Sequence, residues 1–142
     1  MFIIDGIISG IVATMLFDAF QISLSYAYNI NKSRWDLVGR YFFGFVDKIY
    51  IREDLESDKP VKNEFLIGYI VHYLIGIIYG IIYVTINILF FNEPSLILAI
   101  LFGFITVLGG WCIMMPYAFN LGFFASKKEE RFQILTQNLI VH

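Results

Sequence analysis

Two side chains in this chain stand where ionisable groups are rare. Asp18 and His72 each interrupt a long apolar stretch. An ionisable residue within a membrane costs roughly 2.5–3.5 kcal/mol on insertion scales, so it marks a functional site by default. A histidine beside a carboxylate titrates near physiological pH. The chemistry open to such a pair is a proton relay or a cation site. The competing reading is a self-satisfied pair that locks helix register. Thr14 and Gln21 sit three or four residues from Asp18, and Ser25 and Asn120 could extend the polar patch toward the cytoplasm. Asn120 also suits a helix–helix hydrogen bond.

The elements that must position these groups follow from composition. The chain is 58% hydrophobic and 18% aromatic, with mean hydropathy +0.72. Ordinary soluble domains use about 45–50% apolar residues, so a lipid bilayer is the natural solvent and partner. A bilayer core needs about 20 apolar residues in helix. Three stretches qualify, at about 2–28, 65–91 and 96–125. Helix is the structure expected of each, because backbone groups in lipid must be satisfied within the segment. The fold class is therefore all-α: a transmembrane bundle with three full spans, an interfacial and cytoplasmic loop at 29–63, and a partial fourth helix at 129–142, all in one integral membrane domain. The N-terminal stretch lacks the basic region of a signal peptide and reads as a retained span.

Charge gives orientation. The ten basic residues fall in two places: Lys32, Arg34, Arg40, Lys48, Arg52, Lys59 and Lys62 in the loop, and Lys127, Lys128 and Arg131 in the tail. The turn Asn92-Glu93-Pro94-Ser95 and the N-terminus hold none. By the positive-inside rule, the N-terminus lies outside and the loop and tail are cytoplasmic. Acids interleave with the loop's basic residues and net charge is -2, so nucleic acid is not an expected partner.

Within the loop, Ser33 reads as a helix cap with Asp36 three residues on. Trp35, Tyr41, Phe42, Phe43 and Phe45 make the 34–49 segment an interfacial element, either an anchoring aromatic belt or a contact surface. Arg40 and Glu64 either pair, or Arg40 meets a lipid phosphate, with Trp35 beside it as an interfacial contact. The mixed-charge run from Arg52 to Lys62 reads as solvated.

Small residues recur every fourth position: Gly6, Gly10, Thr14 and Asp18; Gly68, His72, Gly76 and Gly80; Thr106, Gly110, Met114, Ala118 and Gly122. Such rows let membrane helices approach closely. At about 1.5 Å of rise per residue, Asp18 lies roughly 15 Å and His72 roughly 12 Å from the inner ends of their helices. The spacing predicts an Asp18–His72 contact, with Thr14 opposite Gly76 and Gly10 opposite Gly80. Pro116 is expected to kink the third span and free a carbonyl near Cys112. Met114, Met115 and the single cysteine Cys112 invite a soft-metal reading, but packing is the commoner use of Met and no metal or cofactor is assigned. No Ser-His-Asp set, glycine-rich phosphate loop or zinc spacing is present, and no nucleophile stands with a base, so an enzyme is the weakest reading.

Four segments resemble the DUF2938 family of small bacterial membrane proteins of unknown function: Ala13–Asp18 (ATMLFD), Trp35–Tyr41 (WDLVGRY), Asn63–Gly76 (NEFLIGYIVHYLIG), and Met114–Pro116 with Gly122–Ser126 (MMP, GFFAS). The resemblance implies a four-helix protein of the bacterial cytoplasmic (inner) membrane and supplies no activity. Against its pattern, Met115 stands where Gln is expected, Tyr69 where Trp is, and the chain ends inside the fourth helix. Two functional readings result: a transport-related or proton-coupled protein using Asp18 and His72, or a structural module that binds a partner helix or anionic lipid through the loop. A homo-oligomer or partner helix would fill any groove left by a short fourth helix.

Overall fold

A largely apolar run of 27 residues with Gly6, Gly10 and Thr14 at every fourth position forms α1, Phe2–Tyr28. In the computed structural model, which describes residues 2–29, 32–51, 54–91 and 93–142, it is followed by α2 (Trp35–Phe43), α3 (Glu64–Phe90), α4 (Leu96–Gly109) and α5 (Arg131–Val141). A π-helix, Gly110–Ala118, continues α4, and a 3-10 turn covers Phe123–Ala125. Among the described residues the chain is all-helical, with no strand. Three helices are long and apolar enough to cross a membrane: Phe2–Tyr28, Glu64–Phe90 and Leu96–Ala118. Two positions used in the charge reading, Arg52 and Asn92, lie outside the described residues.

The residues group into two compact units. The first joins Met1–Lys32 to His72–Gly103. Here α1 buries Gly6, Gly10 and Thr14 against α3. A Cβ on Gly10 would fall 2.7 Å from the Cα of Ile77, and one on Gly6 would fall 2.6 Å from the Cα of Ile81. A Cβ on Gly76 would run into Thr14 Oγ1. Glycine is required here because no larger residue permits this backbone approach. The turn into α4 is closed by side chains. Buried Asn87 donates to the Tyr83 carbonyl at 3.1 Å and accepts the Ser95 amide at 3.1 Å. Ser95 Oγ accepts the Leu98 amide at 3.3 Å, an N-cap for α4. Phe102 packs edge-on to Tyr79 at 6.0 Å and tilted against Tyr83 at 5.7 Å.

The second unit joins Ser33–Val71 to Phe104–His142. Its core has two clusters: Leu37, Tyr41, Leu55 and Ala118, and Val107, Trp111, Met115 and Ala125. Leu55 is only 2% exposed, so the run after Arg52 is not simply solvated: its one leucine is pulled into the core. The α2 cap is Arg34 rather than Ser33, and it makes no side-chain cap hydrogen bond. Arg34 instead pairs with Asp36 at 2.8 Å and Glu56 at 2.8 Å.

The third span departs from its expected form. Regular α-helix stops at Gly109, and wider π turns run to Ala118, not to residue 125. Pro116 explains this. It lacks an N–H, and in α register its ring would clash with the Cys112 carbonyl; a widened turn accommodates both effects. The change of repeat also dissolves the third small-residue row. Gly110 has nothing within 4 Å of where a Cβ would stand, and Gly122 lies beyond the helix at φ 75°. Met115 and Met114 pack in the two apolar clusters.

Candidate functional site

The α1–α3 packing decides where Asp18 goes. The backbones are held together at Gly10 and Gly76, and Asp18 lies two turns beyond Gly10 on the same face. From α3, His72 lies one turn before Gly76, toward the same end. The result is a short ionisable contact: His72 Nε2 stands 3.3 Å from Asp18 Oδ1, with the side chains 15% and 13% exposed. The other carboxylate oxygen, Oδ2, accepts the Tyr73 hydroxyl at 3.2 Å. The Phe17 ring lies 5.3 Å from the imidazole, and the Tyr73 ring meets it edge-on at 5.7 Å. Two aromatic rings, one of them the phenol of Tyr73, thus flank the carboxylate–imidazole contact.

Thr14 is buried one turn from Asp18, and its hydroxyl donates to the Gly10 carbonyl at 2.7 Å. Gln21 is buried on the same helix. Asn120 lies outside the helices α1 to α5. It follows the π-helix in a left-handed conformation, φ 51°, and accepts a hydrogen bond from Lys127.

The second ionic site is built differently. Arg40 is 5% exposed at the centre of the loop. Its Nε and Nη2 donate to Glu64 Oε2 and Oε1, both at 2.9 Å, a bidentate pair. Its Nη1 donates to the carbonyls of Leu55 at 3.0 Å, Glu56 at 3.4 Å and Asp58 at 2.8 Å. Glu64 Oε2 also accepts the Val61 amide at 2.8 Å. The Glu64 carboxylate holds the guanidinium above its ordinary pKa, outweighing the effect of burial. Of the two alternatives for Arg40, internal pairing is the one realised. Protein oxygens accept from Nε, Nη1 and Nη2 alike. The Trp35 ring meets Tyr69 at a tilt, 5.8 Å between centroids, and its backbone presses on Gly68, where a Cβ would lie 2.7 Å from the Trp35 carbonyl carbon.

Sequence reasoning missed two features. Tyr73 completes the Asp18 contact, and its signal was present: a phenol next to an intramembrane histidine. The carbonyls of residues 55, 56 and 58 carry no sequence signal, because backbone acceptors look alike at every position. Among the described residues, no group of three or more His, Cys, Asp or Glu could hold a metal ion.

Three membrane-capable helices, with an ionisable contact between two of them, define a multi-pass membrane protein. The chain belongs to the DUF2938 family of proteins of unknown function, which matches residues 7–142. No curated protein and no solved structure matches it.

Proposed function

We propose that this chain is a transport-related integral membrane protein and that the Asp18–His72 contact is its coupling site, where an ion is taken up and released within the membrane. One observation carries the reading: two titratable side chains from separate apolar helices converge to 3.3 Å, walled by Phe17 and Tyr73. Intramembrane carboxylates and histidines in contact are the usual parts of ion pathways. The reading includes one membrane domain in the bacterial cytoplasmic membrane, N-terminus outside, loop and tail inside, supported by the placement of the ten basic residues. The test is reconstitution in vesicles, with ion flux read by an entrapped dye. Asp18→Asn abolishes flux and leaves the helix content unchanged. Equal flux in the variant refutes the assignment.

A second reading, contact with anionic lipid or a partner helix, has its own observation. From the last residue of α2 onward, the chain exposes Phe43, Phe45, Val46, Ile49, Tyr50 and Ile51. This surface suits insertion at the interface. It does without Arg40, and it predicts that Phe45→Ser with Ile49→Ser lowers co-purified anionic lipid while flux persists.

A further inference from the structure

We infer that Phe124 and Ala125 form a two-state backbone latch between the third span and α5. In the closed state, seen here, both are left-handed and the Phe124 ring lies on Trp111. In the open state both are right-handed and the ring is withdrawn.

Three local costs meet in this stretch. The first is in the backbone. Phe124 and Ala125 hold φ values of 53° and 52°. Asn120 and Gly122 are left-handed as well, at φ 51° and 75°, but asparagine and glycine visit that region routinely. A phenylalanine or an alanine does not, and each is disfavoured there by roughly five- to thirty-fold. The second cost is a donor. Trp111 is 8% exposed, and its indole N–H has no hydrogen-bond partner among the described residues. Buried donors in native proteins nearly always have one. The third is the helix that carries the indole. Trp111 lies in the widened turns of Gly110–Ala118, the irregular register that Pro116 imposes.

Packing holds the costly arrangement in place. Ala125 is fully buried in one cluster with Val107, Trp111 and Met115. The Phe124 ring meets Trp111 at a tilt, 5.6 Å between centroids. Burying such a ring favours the closed state by roughly ten- to 150-fold. The opposing terms are of similar size, which is the condition for two populated states. The next residue, Ser126, is already right-handed, at φ -61° and ψ -18°. Turning Phe124 and Ala125 to the same hand continues that turn back toward Phe123 and carries the Phe124 side chain off the indole. Ile134 and Leu135 of α5 pack on the same cluster, so release also changes how α5 is joined to the third span. The latch lies within the second unit and stands whether or not Asp18 and His72 couple an ion.

The chain has two tryptophans, Trp35 and Trp111. Fluorotryptophan in a Trp35→Phe background therefore places one ¹⁹F label at the latch of the full chain in detergent. Two exchanging states are expected at that nucleus, seen as two resonances or as relaxation dispersion. Phe124→Ala removes the ring that favours closure and should leave mainly the open resonance, a shift of about tenfold or more. Ala125→Gly removes the Cβ that resists the left-handed region. It should move the population the other way, by about twofold or more after the loss of one methyl contact. A single resonance without dispersion in the parent overturns the latch. So does Ala125→Gly favouring the resonance that remains in Phe124→Ala, because packing alone would then govern the site. Should Phe124→Ala not fold, Phe124→Leu takes its place, and the same two outcomes decide.

Discussion

Among the described residues, two ionic contacts between helices, Arg40–Glu64 and Asp18–His72, are opposites in construction. Arg40–Glu64 is a bidentate pair whose remaining donors and acceptors meet the carbonyls of Leu55, Glu56 and Asp58 and the amide of Val61. Asp18–His72 is a 3.3 Å contact in which a phenol also donates to the carboxylate. A saturated pair ties a loop to a helix and has no capacity to change charge cheaply. A lightly held carboxylate–imidazole pair has that capacity. The contrast teaches that burial alone does not mark function. What distinguishes the two sites is the chemistry of the partners: a bidentate guanidinium–carboxylate pair in one, a carboxylate facing an imidazole and a phenol in the other.

The comparison is broken most forcefully at Arg40. Arg40→Ala leaves Glu64 and three carbonyls without their charged donor, and should cost about 3–5 kcal/mol. A large fall in melting temperature in detergent is the expected result. A shift of only a degree or two would mean the loop is not tied down by this pair.

Next come the glycines that bring each pair's helices together. A Cβ at Gly10 falls 2.7 Å from the Ile77 Cα, and one at Gly68 falls 2.7 Å from the Trp35 carbonyl carbon. Backbone cannot yield as a side-chain tip can, so Gly10→Ala and Gly68→Ala should each cost about 1–3 kcal/mol. Gly110→Ala is the control. It meets nothing within 4 Å and should be close to neutral.

A smaller effect is expected at the exposed Arg34–Asp36 pair. Arg34 holds the Asp36 carboxyl below its ordinary value of 3.8. A depressed carboxylate stabilises above that value and loses its contribution as pH falls through the lowered one. Asp36→Asn should therefore cost about 0.2–1 kcal/mol at neutral pH, and the difference from the parent should vanish in acid. Melting curves at a series of pH values check this; a difference that grows in acid would reverse the sign and reject the assignment. The smallest stability effect belongs to Asp18→Asn, within about 0.5 kcal/mol or stabilising, accompanied by loss of flux.

Much of this was legible in the chain itself. Asp18 and His72 could be matched because both lie in uninterrupted helices, where 1.5 Å of rise per residue converts sequence distance into depth. The glycine rows of α1 and α3 were legible for the same reason. The third row was not, since Pro116 changes the helix repeat over Gly110–Ala118 and four-residue spacing no longer marks a face. Arg40 was ambiguous because its partners are mostly backbone. Leu55 was hidden by the charges around it, although its burial organises the loop. Local periodicity reveals what regular helices do, and it is silent where backbone carbonyls and irregular turns do the binding.

The account's central claim is that Asp18–His72 is kept for function and Arg40–Glu64 for folding. Two double-mutant cycles in one detergent test it most directly: Asp18→Asn with His72→Ala, and Arg40→Ala with Glu64→Ala. The account predicts near-neutral or stabilising single changes and little coupling for the first pair. For the second, it predicts strongly destabilising singles and a double that costs little more than either. If Asp18→Asn and His72→Ala are each severely destabilising and the double is no worse, that pair is a structural lock and the claim fails.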